Sequence, residues 1–278
     1  MILQNYHTHT LFCDGKQAPE EYLKRASEHG FYALGYSAHA EVPFENEWSI
    51  KPNKTNDYVE AINNLKTNSY GIEVFLGLEA DYIPGLTTDF EIIRKKNNLD
   101  YIIGSIHLVR KANSDDLWFI DGPAEGYDKG LYELFDGNIK EGVKAFFDQT
   151  NEMISTQKFE IIGHLDKIKM NNKNRFFNEF ELWFRNLINE TLVLIKEKGI
   201  IVELNTRGLY KGRSKTFFPD VWTIEQCRKM KIPIIVNSDA HHADDLIGFF
   251  SEAEAALKEI GIKEIMKYNK NTWIPVNF

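Results

Sequence analysis

Short apolar runs alternate with longer amphipathic ones along most of the chain. Residues 2–6, 33–37, 73–78, 101–106, 160–163, 200–205 and 234–237 are rich in Ile, Val, Leu and Tyr and too short for helices, so they predict strands. Residues 19–29, 56–68, 89–96, 139–157, 179–198, 223–230 and 245–260 carry helical spacing of apolar positions. Strands and helices in such alternation mark βα units around a parallel sheet. Seven units predict an α/β, barrel-like fold, and with no linker, low-complexity segment or longer repeat, residues 1–278 read as one domain. Gly30 and Gly199 follow helices as C-cap glycines, and Pro19 opens one as a first-turn proline. Two stretches, 40–54 and 108–138, look like long loops of the kind that serve as lids or binding loops. The first carries Glu41, Glu45, Glu47 and Trp48, and the second Trp118, Asp121 and Tyr127.

Composition narrows the function classes. A chain of 278 residues with 43% hydrophobic content supplies the core of one enzyme-sized domain. A formal charge of −8 and a pI near 5.6 argue against a nucleic-acid or anionic-membrane partner, since both call for clustered Lys and Arg. A phosphate-bearing small molecule would then need metal ions to offset the acidic balance. Cys13 and Cys227 are too few for a disulfide framework, and the N-terminus lacks the features of a signal peptide, so a cytoplasmic location is expected. No window approaches the ~18 apolar residues of a membrane span. Cys13 has no partner thiol nearby and reads as a packing residue.

The chemistry lies where ligand-type residues fall relative to the strands. His7 and His9, at i and i+2, point to the same side of an extended chain, and Asp14 follows in a Cys-Asp-Gly turn. His39 ends the second strand, Glu79 the third, His107 the fourth and His164 the fifth, while Asp239 and His241 follow the seventh. In a closed parallel barrel all these ends share the face where active sites are built. Six of the eight histidines and three carboxylates therefore converge there, whereas His29 sits at a helix end and His242 would point elsewhere. Nine candidates exceed one ion, because a catalytic zinc-type site takes about three protein ligands and leaves a position open. Two or three ions are implied, and imidazole with carboxylate suits Zn²⁺, Mn²⁺ or Fe²⁺ equally. Glu79, alone on its strand, is the candidate bridge. Three divalent ions bring about +6 against about −3 from the carboxylates, leaving a pocket that attracts a phosphate dianion. Such ions would make hydroxide available near neutral pH and stabilise an in-line displacement, so metal-assisted phosphate ester hydrolysis is the reaction these residues best serve.

These residues resemble the PHP (polymerase and histidinol phosphatase) metallophosphoesterases, and within them the monofunctional histidinol-phosphatase branch. The resemblance spans nearly the whole chain. It rests on His7-Thr8-His9 with Cys13-Asp14-Gly15, Leu34-Gly35-Tyr36-Ser37-Ala38-His39, Gly77 through Gly85, Gly104-Ser105-Ile106-His107, Gly163-His164-Leu165-Asp166, Glu203 through Leu209, and Ser238-Asp239-Ala240-His241. It implies a distorted, TIM-like (β/α)₇ barrel holding three divalent ions. The family pattern would give His7, His9, Glu79 and Asp239 to the first ion, Glu79, His107 and His164 to the second, and Asp14, His39 and His241 to the third. Ala38 departs from the acidic residue many relatives carry there, but that position is not a ligand.

The narrower branch leans on Glu79 through Gly85 and on Ser238 through His242, and implies hydrolysis of L-histidinol phosphate to L-histidinol and inorganic phosphate, a step of histidine biosynthesis. Arg207, after the sixth strand, is placed to reach the phosphate, and its planar guanidinium matches that geometry. Lys169 is a second candidate. Glu41, Glu45 or Asp121 could hold the ammonium and imidazole of histidinol. Metal-bound water or Asp239 could protonate the departing alkoxide, with Glu79 as the other catalytic group. Three alternatives stand beside this. One is a PHP phosphatase or phosphodiesterase for another small ester. Another is an amidohydrolase-type deaminase or amidase, whose usual lone Asp on the last strand contrasts with the Asp239–His241 pair. The last is a non-catalytic, metal-stabilised module, which commonly loses ligands that are all present here.

Overall fold

The structure is a computed structural model that describes residues 1–112 and 114–278. Seven parallel strands pair in chain order among the described residues: β1 (Gln4–Asn5), β2 (Ala33–Tyr36), β3 (Glu73–Asp81), β4 (Tyr101–Ser105), β5 (Ile161–Ile162), β6 (Ile201–Asn205) and β7 (Ile234–Asn237). Beyond the strand ends, Thr8 pairs with Ala240: the His9 N–H donates to Ala240 O at 2.8 Å, and the Ala240 N–H to His7 O at 3.0 Å. The sheet is therefore a nearly closed barrel, distorted because β1 and β5 are ordered as strands over only two residues each.

Period-two alternation explains why the barrel is apolar at one end and polar at the other. On β4, Tyr101 and Ile103 face the barrel interior while Ile102 packs into the outer shell of helices. The same split holds for Ile201 against Val202 and Ile235 against Val236. Continuing each inward row toward the strand's C-terminal end gives Ser105 and His107, then Glu203 and Asn205, then Asn237, Asp239 and His241. Tyr101 fills the lower interior, its hydroxyl donating to Tyr6 O at 2.5 Å and Tyr36 O at 3.2 Å. Gly35 and Gly77 leave room for that ring, since a Cβ at either would come within 2.4 Å of it.

Three elements were not expected. Residues 108–138 are not one long loop: they form a hairpin of Leu108–Arg110 and Leu117–Phe119 and then a helix, Ala124–Phe135. Asn113, within that stretch, lies outside the described residues. Gly126 and Gly130 disguise the helix by lowering its propensity. Tyr127, Leu131 and Phe135 nevertheless bury one face, and at Gly130 a Cβ would meet Trp118 at 2.3 Å. The third is the C-terminal hairpin, Glu264–Asn269 with Thr272–Asn277, which covers the apolar end of the barrel. Its Met266 carbonyl accepts from Gln4 Nε2 at 2.7 Å, and its Tyr268 N–H donates to the Tyr6 hydroxyl at 3.1 Å. The helix expected over 245–260 is shorter, Phe250–Glu259, and follows a 3₁₀ turn, Ala243–Asp245. No described helix is long and apolar enough to cross a membrane.

Candidate metal centre

The strand ends bring all nine sequence-derived ligand candidates to one place. Glu79 occupies the middle, buried to 1% exposure. Its Oε2 lies 3.2 Å from His7 Nε2, 3.4 Å from His9 Nε2 and 3.0 Å from His39 Nδ1. Its Oε1 lies 2.9 Å from His164 Nε2 and 3.6 Å from His107 Nε2, and accepts from Ser105 Oγ at 2.7 Å. The two oxygens thus face two separate sets of imidazoles. Asp239 Oδ1 approaches His9 Nε2 at 3.4 Å. Toward solvent, Asp14 Oδ1 is 3.1 Å from His241 Nε2 and 3.9 Å from both His39 Nε2 and His9 Nδ1. Four groups have donor atoms within 4.8 Å of one another: His9, Asp14, His39 and His241; His7, His164 and Asp239; His7, His9 and Glu79; and His39, Glu79 and His107.

The donors fit cations. His7 Nε2, His9 Nε2, His39 Nδ1 and Asp14 Oδ1 are buried with no hydrogen-bond partner among the described residues. Leaving such an atom unsatisfied costs about 1–3 kcal/mol each, so four aimed into one space call for a group that takes lone pairs. The set is imidazole and carboxylate; the Cys13 thiol sits 3.6 Å from His9 Nδ1, and burial pushes it up to about 12. This chemistry suits borderline divalent metals. Burial pushes His9 and His39 down to about 4, His241 adding to the effect on His9, so both rings are neutral donors near pH 7. Burial opposes ionisation of Glu79 and Asp239 too. His7 and His107 beside Glu79, and Arg207 and His7 beside Asp239, outweigh it and hold both carboxyls well below the usual range.

Two carboxylates stand behind the cluster. Asp81 Oδ2 is 2.9 Å from His107 Nδ1 and its Oδ1 accepts the His107 N–H at 2.8 Å. Burial pulls His107 down, but Asp81 and Glu79 prevail and bring it to about 9. Glu203 Oε1 is 2.7 Å from His7 Nδ1. Neither carboxylate is marked for a role by motif or spacing alone. The available signal was a carboxylate at an inward position of a strand bounded by apolar residues, which must find partners when buried.

A cavity of about 520 Å³ opens over the cluster, lined by Asp14, His39, Glu79, His107, Asp239 and His241 and walled by Trp48 and Phe119. Arg207 lines it as expected, donating from Nη1 to Asp239 O at 2.7 Å and lying against His241 Nδ1. Lys169 does not line it: its Nζ is buried between Asp166 Oδ2 at 2.7 Å and Glu179 Oε2 at 2.9 Å. Lys167 takes that place, its Nζ 2.9 Å from Asp121 Oδ2. The two lysines share the 3₁₀ turn Lys167–Lys169, where residues two apart face different ways. Of the acidic groups considered for the organic half of a substrate, Asp121 lines the cavity. Glu41 and Glu45 instead border a separate recess of loop 40–54, and Glu41 accepts from Thr55 Oγ1. His242 lies outside the cluster and accepts from the Asp244 N–H through Nδ1 at 3.2 Å.

A nearly closed parallel barrel with a histidine–carboxylate cluster at its C-terminal end defines a barrel of the metal-centre type. The chain belongs to the PHP domain family, whose model matches residues 5–207. The histidinol-phosphatase of Bacillus subtilis is 26% identical over 266 residues, covering 89% of this chain and 96% of that protein. A Deinococcus radiodurans protein named "Probable histidinol-phosphatase" is 26% identical over 265 residues, with 92% of each chain covered. Among solved structures, the histidinol phosphate phosphatase of Lactococcus lactis, complexed with Zn, L-histidinol and phosphate, superposes with a TM-score of 0.71 over 98% of each chain at 17% identity. That likeness supports the barrel fold.

Proposed function

We propose that this chain is a metal-dependent histidinol-phosphatase that hydrolyses L-histidinol phosphate to L-histidinol and inorganic phosphate. The observation that carries it is the two-sided Glu79 carboxylate, flanked by imidazoles on both oxygens and opening on a cavity whose lining includes four cationic side chains, Arg207 and Lys167 beside the cluster with Lys173 and Arg213. Family membership and the names of full-length relatives supply the substrate class. His7, His9, Glu79 and Asp239 would hold one ion, Glu79, His107 and His164 a second, and Asp14, His39 and His241 a third, each Zn, Mn or Fe. Divalent ions bound there acidify water and neutralise phosphate charge in the transition state.

The remaining roles fall to side chains. Arg207 and Lys167 bind phosphate oxygens, the first as a planar two-donor fork and the second as a point charge. Water supplies the new P–O bond, the ester P–O bond breaks, and the histidinol oxygen leaves and is protonated. Asp239, which lines the cavity, is the carboxylate placed to relay the water's proton to the departing histidinol oxygen. Trp48 and Phe119 form an apolar wall for the imidazole ring, and Asp121 is the carboxylate available to its amine. Cys13 and Cys227 are free thiols, which agrees with a cytoplasmic setting. The substrate assignment is tested on a panel of phosphate esters with the metal-loaded protein. Histidinol phosphate is expected to give a kcat/KM at least about tenfold above serine phosphate, sugar phosphates or a phosphodiester, a gap of about 1.4 kcal/mol. A clear preference for any other ester overturns the substrate while leaving the metal centre standing.

A further inference from the structure

Glu203 has no solvent exposure, yet four donors surround its carboxylate. Oε1 faces His7 Nδ1 at 2.7 Å and accepts from Asn237 Nδ2 at 2.9 Å. Oε2 accepts from the His164 backbone N–H at 2.9 Å and from Asn205 Nδ2 at 3.0 Å. Two of these donors belong to candidate ligands that follow different strands. His164 holds a φ of 21°, a sparsely populated conformation for any residue but glycine, which persists only where surroundings enforce it.

We propose that Glu203 is a positioning residue that aims His7 and His164 together, a role that rests on the metal-centre reading above. An imidazole that gives its Nδ1–H to Glu203 carries its free lone pair on Nε2. That is the atom of His7 lying 3.2 Å from Glu79 Oε2 with no hydrogen-bond partner among the described residues. The other oxygen captures the His164 N–H and keeps the backbone turned so that His164 Nε2 reaches Glu79 Oε1 at 2.9 Å. One carboxylate thereby couples the two sides of the Glu79 bridge. Asn237 and Asn205 fill its remaining acceptor directions, which leaves the carboxylate little freedom to turn away.

Glu203→Gln tests this at nearly constant shape. The amide offers one acceptor and one donor, so it can serve His7 or the His164 N–H but opposes a donor to the other. Zinc affinity, measured by competition with a chromophoric chelator, is expected to weaken about 10–100-fold. Hydrogen exchange at the His164 amide of the metal-free protein should quicken, and Glu203→Asp, which keeps the charge and shortens the reach, should recover only part of the affinity. Zinc affinity within twofold of wild type, with His164 protection unchanged, overturns the role. So does a lowered unfolding midpoint with zinc affinity intact, which would make Glu203 structural only. A wild-type chain that takes up no zinc instead brings down the metal-centre reading, and His164 exchange in the metal-free variant still decides whether Glu203 holds that backbone.

Discussion

Replacing Glu79 by glutamine is expected to lower kcat for phosphate release by about 10³-fold or more, because in the proposed centre its carboxylate would support both the bound ions and the charge that develops in the transition state. The substitution keeps the side chain's volume, so the barrel should stand. What changes is the centre of the cluster. Oε2 faces His7, His9 and His39, and Oε1 faces His107 and His164. An amide nitrogen cannot accept, and whichever side it faces loses its shared ligand. The formal charge of the site also rises by one, which weakens the hold on every divalent ion. Metal content measured on the purified variant should therefore fall together with kcat, with the circular dichroism spectrum preserved. An undiminished rate in Glu79→Gln would remove the bridge from the account.

The second large effect is expected at Arg207. Its side chain is mostly buried, anchored to the Asp239 carbonyl and lying against His241, with the guanidinium on the cavity wall. Loss of a charge-assisted, two-donor contact to a phosphoryl group costs about 10²–10³-fold, or about 2.7–4 kcal/mol. Arg207→Ala should lose about that much kcat/KM, and Arg207→Lys should recover only a small part, since a point charge does not reproduce the planar fork. Metal content separates this role from damage to His241. Full metal loading with a reduced kcat/KM assigns Arg207 to the substrate, whereas loss of metal in step with rate assigns it to holding the centre.

How far the chain could be read without coordinates follows from what each residue must satisfy. The barrel was legible because most strands lie in short apolar runs that cannot face water, and the strand ends were legible because a ligand-type residue recurs at the same topological position. Glu203 and Asp81 were harder: within a strand they look like polar interruptions, and only tertiary geometry reveals Glu203 beneath His7 and Asp81 beneath His107. Lys167 and Lys169 could not be separated, because the choice depends on which lysine Asp166 and Glu179 capture. Helix Ala124–Phe135 was hidden by Gly126 and Gly130, whose low helix propensity is overridden by the packing of Gly130 against Trp118. The C-terminal hairpin escaped because its strands alternate buried and exposed residues only weakly, and it is held by the open end of the barrel it covers.

The central claim is tested most directly by following inorganic phosphate released from L-histidinol phosphate by the wild-type protein before chelation, after metal removal and after metal return. The account predicts turnover by the loaded protein, a fall to the background rate on chelation, recovery when Zn²⁺, Mn²⁺ or Fe²⁺ is restored, and at least two ions bound per chain in the active state. Fewer than two ions per active chain, or phosphate release that continues in the stripped protein, would contradict it.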